Sequence, residues 1–376
     1  MRGLDSAGEI PAAPTGPAPL LSIVIPVYNL GAYISSCLDT IVEQDFADIE
    51  IIAIDANSRD NTWDVLEKRR LDDGRLTLLA AKQRGPGYAR NLGVAEARGE
   101  YLWFVDGDDE LAPGALRTVA DRLRSDRPDV LVVNHADLSP AGLTAGQDDT
   151  VLARDTGGRG PLADRPWLLD VRMVTWNKVV RREFYLASGA RFLDEWPHED
   201  VPVSCRLLLR AERISVLRDV CYDFRRERPG SATKSGEPRR HFAVFAAWQQ
   251  VLAEARQEAL AGDPGLPVHL YHRLFERAVW HCCTVLDARP KGGAPYVADA
   301  DRKEFFGQLA DLYRAFKLPG YRRPGGFRGA KFALIALRWY RAYNLLDPVN
   351  RQRVELLGKA RSALRRGPPG RLAARS

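Results

Sequence analysis

The sequence predicts an α/β fold in which a mostly parallel sheet carries helices on both faces and is followed by a helical C-terminal region. Five apolar runs alternate with amphipathic segments between positions 21 and 138. The runs are apolar at consecutive positions, as in strands buried on both faces. Beyond about residue 238 only helical periodicity remains.

The elements can be assigned in chain order. The predicted strands are residues 21–29, 49–55, 76–81, 101–106 and 129–138. The first helix is marked by apolar side chains every three or four positions, at Ile34, Cys37, Leu38, Ile41 and Val42. Similar patterns predict helices around 63–70, within 85–99 and around 116–123.

The remainder is less regular. Residues 139–165 are rich in Gly and Asp and predict a long surface loop. Residues 198–233 predict a helix followed by two short strands. Breaks rich in Pro and Gly at 262–267, 289–295 and 319–326 divide the helical part.

These patterns predict a disordered leader over 1–19, an α/β domain over 20–235, a helical domain over 236–320 and a basic amphipathic tail over 321–376. The leader lacks the apolar core of a signal peptide. No run of 18 apolar residues is present. The five cysteines form no C-x-x-C pair, which favours reduced thiols in a cytoplasmic protein.

Charge is concentrated at the C-terminus. Residues 321–376 hold 14 Lys and Arg against 2 Asp and Glu, a net +12, which leaves −6 for the other 320 residues of a chain whose total is +6. With Trp and Tyr among the arginines, the tail predicts peripheral attachment to an anionic membrane surface. The alternative is a helical bundle packed on the catalytic domain. No nucleic-acid-binding module accompanies the charge, so a nucleic-acid partner is not expected.

Carboxylates gather where the fourth strand ends. Asp106, Asp108 and Asp109 follow a buried apolar run, with Gly107 giving the backbone freedom between the first two. Asn29 and Asp55 end other strands, and ligands of open parallel sheets bind at such ends. Two carboxylates on one turn can hold a hard cation such as Mg²⁺ or Mn²⁺. The alternative is a solvated acidic turn.

Six motifs extend this interpretation. In order they are "SIVIPVYN", "IDANSRD", "GPGYARNLGVAEARGEYLWFVDGDD", "WNK", "HED" and "RRERPGSAT". Over about residues 20–235 they resemble the family 2 glycosyltransferases, inverting enzymes of the GT-A (Rossmann-like) fold. The resemblance is closest to bacterial members that build cell-surface polysaccharides and teichoic-type polymers.

The resemblance implies transfer of a sugar from a nucleotide-diphosphate donor to a hydroxyl of a polysaccharide or lipid-linked acceptor in cell-envelope glycan synthesis. It implies that Asp106 and Asp108 hold Mg²⁺ or Mn²⁺ against the diphosphate, where charge develops as the leaving group departs. The donor contacts that it implies are Pro26, Asn29, Asp55, Arg90, Asn91, Asp106, Arg225, Arg228 and Ser231. Arginine suits phosphate oxygens, although an Arg-rich loop is also often simply solvated.

On the acceptor side, the resemblance implies that Asp200 is the general base, which takes the proton of the attacking hydroxyl. Acids also favour the first turn of a helix because of its dipole, so the position alone leaves both interpretations open. The other residues implied near the acceptor or sugar are Asp109, Trp176, Asn177, Lys178 and Glu199. Core packing is the alternative for Trp176, and His198 receives no role.

The second motif departs from the family pattern of Asp-Asp-Gly-Ser. Asp55 is kept, but Ala56 and Asn57 replace the second acid and the glycine. A carboxylate that would accept a hydrogen bond from uracil is lost, which leaves the donor base open. Asp60 is interpreted as a helix cap.

The sequence leaves two alternatives to a glycosyltransferase to consider. A catalytically inactive GT-A-like scaffold at the membrane is the alternative to an enzyme. A dinucleotide-binding enzyme is disfavoured, because "PVYNLGAY" replaces the Gly-x-Gly-x-x-Gly turn after the first strand.

Overall fold

The computed structural model describes residues 17–193, 197–226, 228, 239–262, 265–289 and 295–346. The strands are β1 (Leu21–Val27), β2 (Ile49–Asp55), β3 (Leu76–Ala80), β4 (Tyr101–Phe104), β5 (Glu110–Leu111), β6 (Val130–Ser139), β7 (Gly142–Ala145), β8 (Lys178–Arg181) and β9 (Ile214–Arg225). The helices are α1 (Ile34–Val42), α2 (Thr62–Asp72), α3 (Pro86–Glu96), α4 (Ala115–Asp126), α5 (Asp149–Leu152), α6 (Arg182–Ala187), α7 (Asp200–Arg210), α8 (Ala243–Ala261), α9 (Val268–Asp287), α10 (Arg302–Phe316) and α11 (Gly326–Ala336).

The described strands form one mixed sheet in the order β3-β2-β1-β4-β8-β6-β9-β5, with β7 paired to β6. β1 to β4 pair in parallel. β8 is antiparallel to both β4 and β6, so β6 runs in the same direction as β4, and β9 pairs with β6 in parallel. Six of these nine strands therefore share one direction, which confirms the predicted α/β sheet.

Consecutive side chains of the central strands enter opposite faces of the sheet. On β4, Leu102 and Phe104 belong to one apolar cluster, whereas Tyr101 and Trp103 belong to the other. The first cluster includes side chains of α3 and α7, and the second includes side chains of α1 and α4. Helices thus cover both faces, which explains why the strands are apolar at every position.

The C-terminal helices share the core of the first face. Trp248 on α8, Phe275 on α9 and Phe305 on α10 belong to the same apolar cluster as Val24 of β1. The core therefore continues from the sheet into the helical part. The domain limits at 235 and 320 stay predictions.

Two local predictions were wrong. Residues 139–165 contain the β6–β7 hairpin and α5 rather than a plain loop, because Gly142, with a φ of 105°, permits the tight turn. The two short strands expected after α7 are the single strand β9, which shifts register against β6 around Asn134. Such a bulge lets one strand continue through an irregular sequence.

The described part of the tail packs on the helices by one face. Lys331, Phe332 and Tyr343 are fully buried, and the ammonium of Lys331 pairs with the carboxylate of Asp287 on α9. Other apolar side chains face outward: Leu337, Trp339 and Leu345. Residues 347–376, the rest of the predicted tail, lie outside the described residues, as does most of the predicted leader.

Two further observations concern the whole described chain. Its helices are all too short or too polar to cross a membrane. All five cysteines are buried and unpaired.

Candidate active site

Polar residues of three adjacent strands meet at one edge of the sheet. Val27 at the end of β1 pairs with Asp55 at the end of β2, and Val24 pairs with Phe104 at the end of β4. Asn29, Asp55 and Asp106 therefore line the same edge, as parallel strand ends require.

The loops after β1 and β2 brace one another. The backbone N–H of Asn29 donates to Ser58 Oγ at 2.9 Å, and Asn29 Oδ1 accepts from the N–H of Arg59 at 2.8 Å. Asp55 Oδ2 accepts the N–H of Ser58 at 3.1 Å. Asn29 and Asn57 adopt positive φ values of 51° and 67°, which asparagine tolerates. Ser58 was missed by sequence reasoning, although a Ser three residues after an Asp is a turn signal.

Asp60 joins the same pair of loops. Its carboxylate accepts the N–H groups of Gly31 and Thr62, each at 3.1 Å. Burial opposes ionisation, but the hydrogen bonds from Thr62 and Gly31 lower the pKa of Asp60 below its usual value. Asp60 thus satisfies the first N–H of α2, while the backbone N-cap is Asn61, whose side chain makes no capping bond.

A buried arginine lies at the centre of the site. Arg90 on α3 is 7% exposed; its Nη1 donates to Glu199 Oε1 at 2.6 Å and its Nη2 to Asp106 Oδ1 at 2.7 Å. Burial would lower the pKa of Arg90, but Asp106, Glu199 and Asp200 together raise it. Arg90 therefore joins the acidic turn after β4 to the start of α7.

Gly87 permits this approach. A Cβ at position 87 would lie 2.0 Å from the carbonyl oxygen of Leu193 and 3.3 Å from Glu199 Cγ. Asn91 holds the same segment, because its side-chain amide donates to the carbonyl of Phe192 at 2.9 Å and accepts its N–H at 3.0 Å.

Asp200 is the first residue of α7 and is half-buried beside buried Glu199. Burial, and then the negative charges of Glu199 and Asp106, raise the pKa of Asp200 to about 7, against the opposing effect of Arg90. Burial also raises the pKa of Glu199. A carboxylate with a pKa near the working pH can accept a proton during catalysis.

The three acids of the turn after β4 have different environments. Asp108 Oδ2 accepts from Arg228 Nε at 2.6 Å. Asp109 is buried, and its carboxylate accepts the hydroxyl of Tyr222 and the N–H of Arg225, each at 2.7 Å. Burial, and then Asp108 and Asp106, raise the pKa of Asp109 well above its usual value.

Tyr222 on β9 connects the ends of this turn. Its hydroxyl accepts the N–H of Asp106 at 3.0 Å while donating to Asp109. Asp109 thus supports the turn from inside the core. Gly107 does not have a positive φ. The absence of a side chain matters there because a Cβ at this position would lie 3.0 Å from Leu30 Cδ1.

Two arginines, Arg225 at the end of β9 and Arg228 shortly after it, lie against the same turn. Arg225 Nε donates to the carbonyl of Asp108 at 2.8 Å, and the Arg225 guanidinium pairs with Glu110. Arg225 and Arg228 both lie over the ring of Tyr33, at 5.5 and 5.8 Å. Ser231, also expected at the diphosphate, lies outside the described residues.

The "WNK" residues are buried, and their geometry favours the packing alternative over direct acceptor contact. Trp176 stacks on Tyr222 with ring centroids 4.6 Å apart. Asn177 Nδ2 donates to Asp148 Oδ2 at 3.2 Å, and Lys178 Nζ donates to the carbonyl of Val174 at 2.8 Å. These bonds use the polar groups to hold the preceding loop. Pro26 is likewise buried within β1.

The acidic turn offers a donor set suited to a divalent cation. Among the described residues no group of three His, Cys, Asp or Glu side chains converges as metal ligands. Asp106 gives its Oδ1 and Asp108 gives its Oδ2 to an arginine, so each carboxylate has a second oxygen that its arginine does not use. Mg²⁺ needs only one or two carboxylates when substrate phosphates supply other ligands. These two residues therefore fit Mg²⁺ or Mn²⁺ bound together with a diphosphate.

Comparison with known proteins agrees with this geometry. Residues 22–183 match the family described as glycosyl transferase family 2. This stretch, 162 of the 376 residues, is similar to the family 2 glycosyltransferases. The resemblance that the six motifs indicated is thereby confirmed.

Individual relatives align over a similar region. The glycosyltransferase GlyG of Streptococcus pneumoniae is 28% identical over 228 residues, which cover 57% of this chain and 73% of that protein. The uncharacterized glycosyltransferase EpsJ of Bacillus subtilis is 26% identical over 219 residues, or 57% of this chain and 63% of that protein. The poly(ribitol-phosphate) beta-N-acetylglucosaminyltransferase TarS of Staphylococcus aureus is 28% identical over 221 residues, or 57% of this chain and 37% of that protein. The chain thus spans less than two thirds of the last two relatives.

Likeness of fold extends further along the chain. The crystal structure of S. aureus TarS 1–349 in complex with UDP-GlcNAc superposes with a TM-score of 0.68 at 20% identity, covering 88% of this chain and 91% of that chain. The likeness confirms the GT-A fold. Because it covers 88% of the chain, it includes helices beyond residue 183.

Replacing the Tyr222 hydroxyl should loosen the acidic turn. Tyr222→Phe removes the acceptor of the Asp106 N–H and one donor to buried Asp109, so the free energy of unfolding should fall by about 1–3 kcal/mol. Urea unfolding measures it. Tyr185→Phe is the matched control, because the buried Tyr185 hydroxyl has no hydrogen-bond partner among the described residues, and its removal should change stability little. Equal effects of the two substitutions would contradict the bridging role of Tyr222.

Proposed function

We propose that this protein is a divalent-metal-dependent, inverting glycosyltransferase that moves a sugar from a nucleotide-diphosphate donor to a hydroxyl of a polysaccharide or lipid-linked acceptor of the cell envelope. The observation that carries the proposal is the Arg90 bridge. It sets Asp106, on the donor side, against Glu199 and the start of α7, where Asp200 lies. Donor-side and acceptor-side acids thereby form one site.

In the proposed reaction Asp200 accepts the proton of the acceptor hydroxyl as that oxygen attacks the anomeric carbon. The bond to the nucleotide diphosphate breaks on the opposite side, so one displacement inverts the carbon and no enzyme nucleophile is needed. Burial beside Glu199 keeps the Asp200 carboxylate basic enough for this step.

On the donor side, Asp106 and Asp108 would hold Mg²⁺ or Mn²⁺, which neutralises charge on the departing diphosphate. Arg228 pairs with Asp108 and would bind phosphate oxygens of the donor as well. Arg225 keeps the loop against the acidic turn through its bond to the Asp108 carbonyl.

The acceptor class is inferred from relatives. The name of the S. aureus relative describes transfer of N-acetylglucosamine to poly(ribitol phosphate), a polymer rich in hydroxyl groups. This supports an envelope polymer as acceptor here. The donor base stays open, because Ala56 provides no carboxylate for a uracil.

The inactive-scaffold hypothesis rests on the altered second motif. In the structure Asp55 still ends β2 at the site edge and the loop is braced by Ser58, so the alteration leaves the edge intact. Thermal shift against a panel of nucleoside diphosphates with Mn²⁺ separates the two functions. A shift with one base supports the enzyme, whereas no shift across the panel supports the scaffold.

We further infer a cytoplasmic location with peripheral attachment to the inner face of the plasma membrane. The exposed side chains of Leu337, Trp339 and Leu345 lie beside Arg338 and Arg341, which are also exposed. This combination suits insertion into the interface of an anionic bilayer.

Asp200→Asn should lower transfer by about 10²–10⁴-fold while donor binding persists, because it removes only the proton acceptor. Wild-type kcat should rise with pH and level off above about 7, since the carboxylate is active when ionised. Release of nucleoside diphosphate measures turnover, and thermal shift measures donor binding. Asp64→Asn, at an exposed acid in the first turn of α2, is the control for a simple helix-dipole role. Unchanged turnover in Asp200→Asn would refute the assignment.

Chelation by EDTA should abolish activity, and added Mn²⁺ or Mg²⁺ should restore it. Asp108→Asn should raise the half-saturating Mn²⁺ concentration at least about tenfold, since a ligand charge is lost. The readout is the Mn²⁺-dependent thermal shift in the presence of nucleoside diphosphate. Asp121→Asn, at an exposed position of α4, should leave it unchanged. Full activity in EDTA would remove the cation from the mechanism.

The double variant Trp339→Ala with Leu345→Ala should bind vesicles containing phosphatidylglycerol more weakly than wild type, because it loses apolar area at the interface. Sedimentation with such vesicles, and with phosphatidylcholine alone, measures this. Trp63→Ala, at an exposed tryptophan on α2, is the matched control. If the double variant and wild type bind the vesicles equally well, this face does not contact lipid.

A further inference from the structure

Three histidines from distant parts of the chain meet beside the proposed base. His198 directly precedes Glu199 and Asp200. Its Nε2 lies 3.5 Å from Nδ1 of His241, and its ring centroid lies 5.3 Å from that of His281 on α9. The group does not have the geometry of a metal site among the described residues.

The partners of His198 are themselves fixed by the helical part. The indole N–H of Trp248 on α8 donates to Nδ1 of His281 at 3.0 Å. His241 stacks on Tyr296, with ring centroids 4.4 Å apart and an interplanar angle of 12°. The imidazole of His198 therefore contacts side chains whose positions depend on α8, α9 and the segment that precedes α10.

The backbone conformation of His198 links these side-chain contacts to the start of α7. Its φ is 75°, in the left-handed region that residues other than glycine seldom occupy, although asparagine, aspartate and histidine do so more often than the rest. Its carbonyl accepts the N–H of Val201 at 3.3 Å in the first turn of α7. Backbone strain of this kind persists only where surrounding contacts enforce it, and it concentrates at functional sites. Burial lowers the pKa of His198 to about 3, so the ring packs uncharged.

We propose that the cluster of His198, His241 and His281 is a positioning device through which the C-terminal helices orient the Glu199–Asp200 turn for proton abstraction. His198 is a positioning residue and acts through Asp200. The inference rests on the proposed function, since it assumes that Asp200 is the base. It gives the helices beyond residue 242 a part in turnover in addition to their part in the core.

The test compares His198→Asn with wild type. Asparagine tolerates positive φ, so the backbone conformation is kept while the imidazole contacts are lost. Turnover is measured as hydrolysis of the nucleotide sugar whose base gives the largest thermal shift, with water as acceptor. Amide hydrogen exchange over residues 200–205 reports the order of the α7 start independently of activity. His272→Asn, on the other side of α9 against Tyr321, is the matched control.

For His198→Asn we expect kcat to fall about 10–100-fold with KM for the donor unchanged, together with faster exchange over residues 200–205. Trp248→Phe, which removes the N–H that orients His281, should act in the same direction with a smaller effect. Unchanged kcat, or an equal loss in His272→Asn, would overturn the proposal. A joint loss of kcat and donor binding would also overturn it, by showing a general structural role.

Asp200→Asn is measured in parallel. If that variant keeps full turnover, the proposed function fails whatever His198 does. If Asp200→Asn is inactive and His198→Asn is fully active, only the positioning inference fails.

Discussion

The site depends on one buried cation. Arg90 is the guanidinium that pairs both with Asp106 after β4 and with Glu199 before α7. Without it, three carboxylates of one cluster, including Asp200, would face each other in a poorly solvated site, and burying unpaired charge is among the costliest changes a protein can make. Because Arg90 contacts both segments, it also fixes their separation.

The repulsion expected among the three acids after β4 is resolved by giving each a different partner. Asp106 pairs with Arg90, Asp108 pairs with Arg228, and Asp109 accepts hydrogen bonds from the Tyr222 hydroxyl and a backbone N–H within the core. Asp106 and Asp108 each keep a second carboxylate oxygen that the arginine does not use, whereas both oxygens of Asp109 accept hydrogen bonds. The same three residues thus divide into a support and two candidate ligands, which their spacing in sequence does not reveal.

Much of the fold could be predicted because its signals are local. An apolar run of seven residues, as in β1, is enough to indicate a strand buried on both faces, and parallel strands bring Asn29, Asp55 and Asp106 to one edge. Other features depend on pairing between distant segments. β8 lies between β4 and β6 in the sheet, and the pattern of apolar residues along the sequence does not predict this position. The burial of the "WNK" residues depends on that position. The roles of Tyr222 and His198 were missed for the same reason, since their partners lie far away in sequence.

The raised pKa of Asp200 shows a conflict between function and stability. Folding raises it from an ordinary value of 3.8 to about 7, so the folded state holds this proton more tightly than the unfolded chain. The contribution of Asp200 to stability is therefore complete below the ordinary pKa and is lost as the pH rises through about 7. The ionised form of Asp200 is the proposed base. At a pH high enough for that form to predominate, Asp200 no longer contributes to the stability of the folded state. Arg90 offsets part of that cost electrostatically. A rigid frame around the start of α7 is then needed to prevent the turn from relaxing toward solvent, where Asp200 would recover an ordinary pKa and lose its position.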